Sequence, residues 1–202
     1  MTSSSLERLC ARHGIGVPAD VLELVPVLGM RPADVLAVAG AAIPGELMPA
    51  APEGVRLVER LLRNGVSVDE ARAKRDRADA LPRAARTAGG LPALEVVTAG
   101  DVFTRLLAVR NLSRNAMAYV TGSAITTVNK AMRIGELIPQ RMELMAAVLC
   151  LPGGDFDAIM VRTPRAGPAD EWVYEWVPGL RAVGELVLAL APLNEEQLRE
   201  VL

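Results

Sequence analysis

The chain has 202 residues and a mass of 21.5 kDa, with 51% apolar and 23% charged residues and a formal net charge of -2. That length sustains a hydrophobic core without disulfides or a structural metal, and the composition excludes a disordered, collagen-like or acidic-tail protein. No apolar run approaches the roughly 18 residues of a membrane span. The opening Met1-Thr2-Ser3-Ser4-Ser5-Leu6-Glu7 lacks the basic and then apolar pattern of a secretion signal, so a cytoplasmic protein without membrane contact is expected. Cys10, Cys150 and His13 are all the cysteine and histidine in the chain, too few for a four-ligand zinc site. Carboxylates and arginines abound but no convergent catalytic set is marked, so no cofactor and no enzymatic role is expected.

Leu, Ala, Val, Glu and Arg recur at helical rather than alternating spacing, and Pro and Gly supply the breaks, which predicts an all-α fold. Leu6 to His13 reads as a short helix stopped at Gly14. Pro18-Ala19-Asp20-Val21 and Pro32-Ala33-Asp34-Val35 each open a further helix, with proline near the first helical position and an acid complementing the helix dipole. Val55 to Arg63 carries Val55, Val58, Leu61 and Leu62 on one stripe and closes on Asn64-Gly65. Ser67 to Ala80 follows as a charged helix, with Ser67 and Glu70 spaced as a capping box. The stretch from Pro82 to Pro92, containing Gly89-Gly90, bounds an N-terminal helical region over residues 1–90. A second break, from Arg162 to Ala169, sets off the C-terminal residues 168–202. There Asp170 to Trp176, Leu180 to Ala191 and Asn194 to Leu202 read as three helices separated at Pro178 and Pro192.

Charge is distributed unevenly. Residues 1–54 carry -3, 55–90 carry +4, 91–101 carry -2, 102–142 carry +5 and 143–202 carry -6. The strongest positive stretch holds Arg105, Arg110, Arg114, Lys130, Arg133 and Arg141 against Glu136 alone. An island of this kind suits an anionic partner if its arginines share a face.

The same stretch is patterned. Val102 to Val109 forms an amphipathic helix with Phe103, Leu106 and Leu107 inward and Arg105 and Arg110 near the other face. Ser113 caps a second helix, Arg114 to Val120, with Met117 and Val120 inward. Thr121-Gly122-Ser123 makes a tight turn, and a third helix runs from Ala124 to Ile134 and stops at Gly135. Two helices joined by so short a turn make a helix-turn-helix, whose second helix presents its outer face to the major groove.

Leu112-Ser113-x-x-x-Met117-Ala118-x-x-x-Gly122-x-x-x-x-Thr127-Val128, followed by Pro139 and by Met145-Ala146-x-x-Leu149-x-Leu151-Pro152, resembles the phage-repressor, or xenobiotic-response-element, helix-turn-helix regulators over residues 102–157. Thr127-Val128 through Gly135-Glu136-Leu137 is also similar to excisionase-type proteins, in which a wing follows. Gln140 to Leu149 reads as helix, which favours the repressor-like version. The resemblance implies a DNA-binding domain over residues 95–160 at the centre of a multi-helix protein, flanked by the N- and C-terminal helical segments. It places the base-reading positions on Ala124, Ile125, Thr126, Asn129 and Lys130, and Arg114, Arg133 and Arg141 are candidates for the phosphate backbone. The expected function is that of a transcriptional regulator binding double-stranded DNA as a homodimer. The alternative is a protein-interaction or scaffold module built on a degenerate helix-turn-helix. In the C-terminal helices Trp172, Val173, Trp176, Val177, Leu186, Val187 and Leu190 offer apolar surface either for dimerisation or a protein partner, or for the chain's own core. Leu24 to Val38 has nearly helix-turn-helix spacing too, but Pro26 and acidic surroundings mark it as ordinary helix packing.

Overall fold

The computed structural model describes residues 4–84, 89–162 and 172–202, with the side chains of all but 162 and 172–176 among them. The fold is all-α: among the described residues twelve α-helices are joined by short 3-10 turns and by one pair of two-residue strands. No described helix is long and apolar enough to cross a membrane.

Helix α1 (Ser5–Arg12) starts where Ser4 and Glu7 form a capping box, and it buries Leu6, Leu9 and Cys10. The helix expected at Pro18 does not form there. Asp20 instead caps a 3-10 turn, Val21–Glu23, and α2 (Leu24–Leu28) begins after it, with Pro26 in the first turn, where no intrahelical amide bond is required. Helix α3 (Pro32–Ala39) carries Pro32 at its start and Asp34 in its first turn. Helices α4 (Val55–Arg63) and α5 (Val68–Ala80) follow the expected bounds. Ser67 accepts from the Glu70 amide, while the Glu70 carboxylate lies 3.8 Å from Lys74.

Helix α6 (Ala99–Ala108) starts earlier than its apolar stripe suggests, because Thr98 and Asp101 make a capping box ahead of it. Then come α7 (Arg114–Val120), α8 (Ile125–Ile134), strand β1 (Glu136–Leu137), α9 (Pro139–Val148), α10 (Gly153–Ile159) and strand β2 (Val161–Arg162). The strands pair in parallel, Glu136 opposite Val161, so a helix and not a wing hairpin follows α8. The last elements are α11 (Trp172–Leu190) and α12 (Glu195–Val201), the latter capped by Asn194 and Gln197. Two helices were expected where α11 runs unbroken through Pro178. An interior proline costs about 3 kcal/mol, and burial of Leu180, Val183, Leu186, Val187 and Leu190 against α5 and α9 offsets it.

One continuous core draws on the whole chain, including Leu9 of α1, Val35 of α3, Phe103 of α6, Met145 of α9, Phe156 of α10 and Leu198 of α12. The rings of Phe103 and Phe156 stand 6.0 Å apart at 54°. Helix α6 lies against α3 and α8, α4 against α7, and α1 against α10. Residues past Gly90 are stitched back onto the N-terminal helices, through mutual Ile43 and Leu91 amide bonds and the Leu94 amide on the Gly40 carbonyl. Leu186, Val187 and Leu190 are buried in the protomer itself. The side chains of Trp172, Val173 and Trp176 lie outside the described part.

Candidate nucleic-acid interface

The basic stretch forms two helices joined by a four-residue turn, residues 121–124. Ser113 caps α7 by accepting from the Ala116 amide at 3.0 Å, and its hydroxyl donates to Glu59 on α4 at 2.5 Å. The Asn115 amide reaches the other Glu59 oxygen at 3.2 Å. A carboxylate is thus clamped over the positive end of α7, where the helix dipole favours it. In the turn Gly122 takes a left-handed conformation, φ +57°, which glycine adopts without steric cost.

Thr121 and Ser123 flank that glycine and are both buried. Their hydroxyls share a hydrogen bond of 2.8 Å, and Thr121 donates back to the Met117 carbonyl at 2.7 Å. The two buried hydroxyls of the turn are therefore hydrogen-bonded within it. Met117 and Val128 are fully buried, as is Ala131, and Ala118 is nearly so. Val120 is half-buried. Helix α8 ends at Gly135, again left-handed at φ +71°, and a methyl group there would overlap Ala99 of α6.

With its inner face held by Val128 and Ala131, α8 turns Ile125, Thr126, Asn129, Lys130 and Arg133 outward, and all five are exposed, as is the capping position Ala124. At about 100° per residue these five occupy an arc of about 140°. Lys130 is held by Glu136, Nζ to Oε2 2.7 Å, with both side chains partly exposed. Arg141, on α9, donates to the Thr121 carbonyl at 3.1 Å and so touches the turn. Arg114 and Arg133 are exposed and make no ion pair among the described residues.

Two cations of the basic stretch do not reach this face. Arg105 turns inward to donate to the Pro92 carbonyl at 2.8 Å and to the Ala41 carbonyl, and Arg110 is fully buried on Asp34. The amphipathic reading of α6 placed both near the outer face. Inward carbonyls and a carboxylate from distant elements claim them instead, because a buried acceptor left unpaired is costly. The accessible charge of the stretch accordingly reduces to Arg114, Lys130, Arg133 and Arg141 against Glu136.

Comparison of the chain with family models, curated proteins and solved structures gives no match.

Two participants escaped the sequence reading. Tyr119 is 47% exposed and borders a hollow of about 310 Å³ with Asn115, Ala118, Ser123 and Ile125, at the junction of α7 and α8. Its spacing of four from Asn115 puts the two on one helix face, which was the available signal. Glu136 was counted only as a charge. Its pairing with Lys130 crosses the bend at Gly135, a relation that no helical spacing announces.

Proposed function

We propose that the chain binds duplex DNA by laying the outer face of α8 in the major groove, as a homodimer regulating transcription in the manner of the phage-repressor class. The observation that carries this reading is the sidedness of α8: Val128 and Ala131 anchor it, and Ile125, Thr126, Asn129, Lys130 and Arg133 all face solvent. Those side chains suit base edges. The methyl groups of Ile125 and Thr126 match a thymine methyl, the Asn129 amide matches the paired donor and acceptor of adenine, and Lys130 reaches guanine or phosphate. Arg114, Arg133 and Arg141, exposed or half-buried around the same two helices, are the candidates for phosphate contacts. Four accessible cations make one protomer a weak binder, and a dimer would double the contacts.

The test is fluorescence anisotropy of labelled genomic duplex fragments over a salt series, with the Asn129→Ala/Lys130→Ala double variant in parallel and the oligomeric state read by light scattering. Binding that weakens steeply with salt and is lost in the folded variant supports the reading. No binding at low salt by folded protein overturns it in favour of a protein-interaction module on the same scaffold.

A further inference from the structure

We propose that the open hollow bordered by the α4–α5 connection, the end of α7 and the middle of α11 is a binding site for a small, uncharged, apolar molecule. Its volume of about 510 Å³ falls inside the range of small-molecule sites, about 300–1,000 Å³. Leu62, Leu180 and Val183 form a buried floor, and Val66, Val68 and Val120 are half-buried walls around it. No charged side chain lines the hollow among the described residues, and Tyr119 is the one lining residue whose side chain carries a polar group.

The chemistry of the occupant follows from that lining. Arg63 stands over the Tyr119 ring at 5.8 Å from its centroid but does not line the hollow, so an ion entering would shed its hydration with no counter-charge on the walls to meet it. An apolar molecule would release water from valine and leucine surface at about 25 cal/mol per Å² buried. Tyr119 brings an aromatic ring to the lining, with a hydroxyl that can bond a lone polar atom at the rim. A peptide helix is a poor fit, because one turn of a cylinder about 10 Å wide already occupies about 420 Å³. The hollow is built from three stretches distant in sequence, residues 62–68, 119–120 and 178–183, and it meets the α7–α8 junction only at Tyr119.

Gly179 offers a means of closing it. A β-carbon there would meet only Val68 Cγ2, at 3.4 Å, an ordinary contact, so a side chain at 179 grows toward the hollow. Replacing an interior helical glycine also favours the helix by up to about 1 kcal/mol.

The experiment titrates N-phenyl-1-naphthylamine, an uncharged apolar fluorophore, into the full chain and into Gly179→Leu, with thermal unfolding of both recorded alongside. The expected result is saturable one-to-one binding by the wild type, a loss of affinity of about tenfold or more in Gly179→Leu, and an unchanged or raised Tm. The anionic 8-anilinonaphthalene-1-sulfonate should bind at least about tenfold more weakly than the neutral dye. If Gly179→Leu does not fold, Val66→Trp blocks the hollow from the opposite wall and is read the same way. Absence of saturable binding by folded wild type, equal binding by a folded blocked variant, or preference for the anionic dye would each overturn the proposal. Duplex binding by α8 is measured separately, so either conclusion can fail alone.

Discussion

Asp34 on α3 and Arg110, just past α6, form a buried two-pronged ion pair, Oδ1 at 2.7 Å from one terminal guanidinium nitrogen and Oδ2 at 3.0 Å from the other. The same guanidinium donates to the carbonyls of Leu106, at 3.0 Å, and Leu149, at 2.5 Å. Arg31 adds a second fork on Asp34 at 2.9 and 2.8 Å. The pair thereby ties α3, α6 and the end of α9 into one unit beneath the helices that carry the candidate interface. Asp34→Ala would strand the Arg110 charge in the core, and a loss of about 3–5 kcal/mol is expected. Urea unfolding followed by circular dichroism measures it; a loss below about 1 kcal/mol would contradict this assignment.

The same pair sets a pH dependence. Burial alone would push the Asp34 carboxyl pKa up, but the charge of Arg110, together with the hydrogen bonds and charge of Arg31, outweighs burial and holds it below the ordinary value. A pKa lowered by folding contributes stability that is complete above the unfolded carboxylate value, about 3.9, and is lost as pH falls through the folded one. The stability gap between wild type and Asp34→Asn should therefore be constant from neutral pH down to about 5 and narrow progressively below about 4. Urea midpoints of both proteins across that range decide it.

Under the proposed DNA-binding reading, Glu136 would compete with DNA for Lys130, so removing its charge should strengthen duplex binding. For Glu136→Gln the affinity is expected to rise about threefold to tenfold on all sequences alike, and the slope of log affinity against log salt to steepen by about one unit. Stability should hardly change, because partly exposed pairs contribute about 0–1 kcal/mol. Unchanged affinity in anisotropy titrations would show that Lys130 makes no contact with DNA.

The buried hydroxyls beside the turn can be tested as a coupled pair. Thr121→Val leaves the buried Ser123 hydroxyl without its partner, while the Met117 carbonyl keeps the Thr121 amide at 3.2 Å, and should cost about 1–3 kcal/mol. Adding Ser123→Ala removes that orphan, so the double variant should be more stable than the two single losses predict, by about 0.5 kcal/mol or more. A double-mutant cycle in urea reads the coupling directly.

The two left-handed glycines around α8 should respond differently to substitution. At Gly122 nothing lies near an added β-carbon, so Gly122→Asn should be nearly neutral and Gly122→Ala should cost about 1 kcal/mol from backbone strain alone. At Gly135 an added β-carbon would stand 2.3 Å from that of Ala99, so even Gly135→Asn should be severely destabilising. Thermal unfolding of the three variants gives the order.

Much of the framework around α8 was legible in the sequence, and the residues explain why. Ser113 caps α7 through an amide three residues away, Gly135 stops α8, and Val128 and Ala131 mark its inner face by helical period. Each of these signals is local, acting within about one helical turn. The same locality makes Pro178 misleading: proline disfavours a helix interior, and a break is expected there, but packing of α11 between α5 and α9 keeps the helix continuous.

By itself, then, the sequence determined an all-α chain, the bounds of α4 and α7, and an exposed polar face on α8, because caps, turns and periodicity depend on residues a few positions apart. Tertiary structure alone decided which cations are available. Arg110 meets Asp34 across 76 positions and Arg105 meets the Ala41 carbonyl across 64, while Lys130 is claimed by Glu136 only because the chain turns at Gly135. Charge is counted along the sequence, but the partner that neutralises or buries it is chosen by proximity in space.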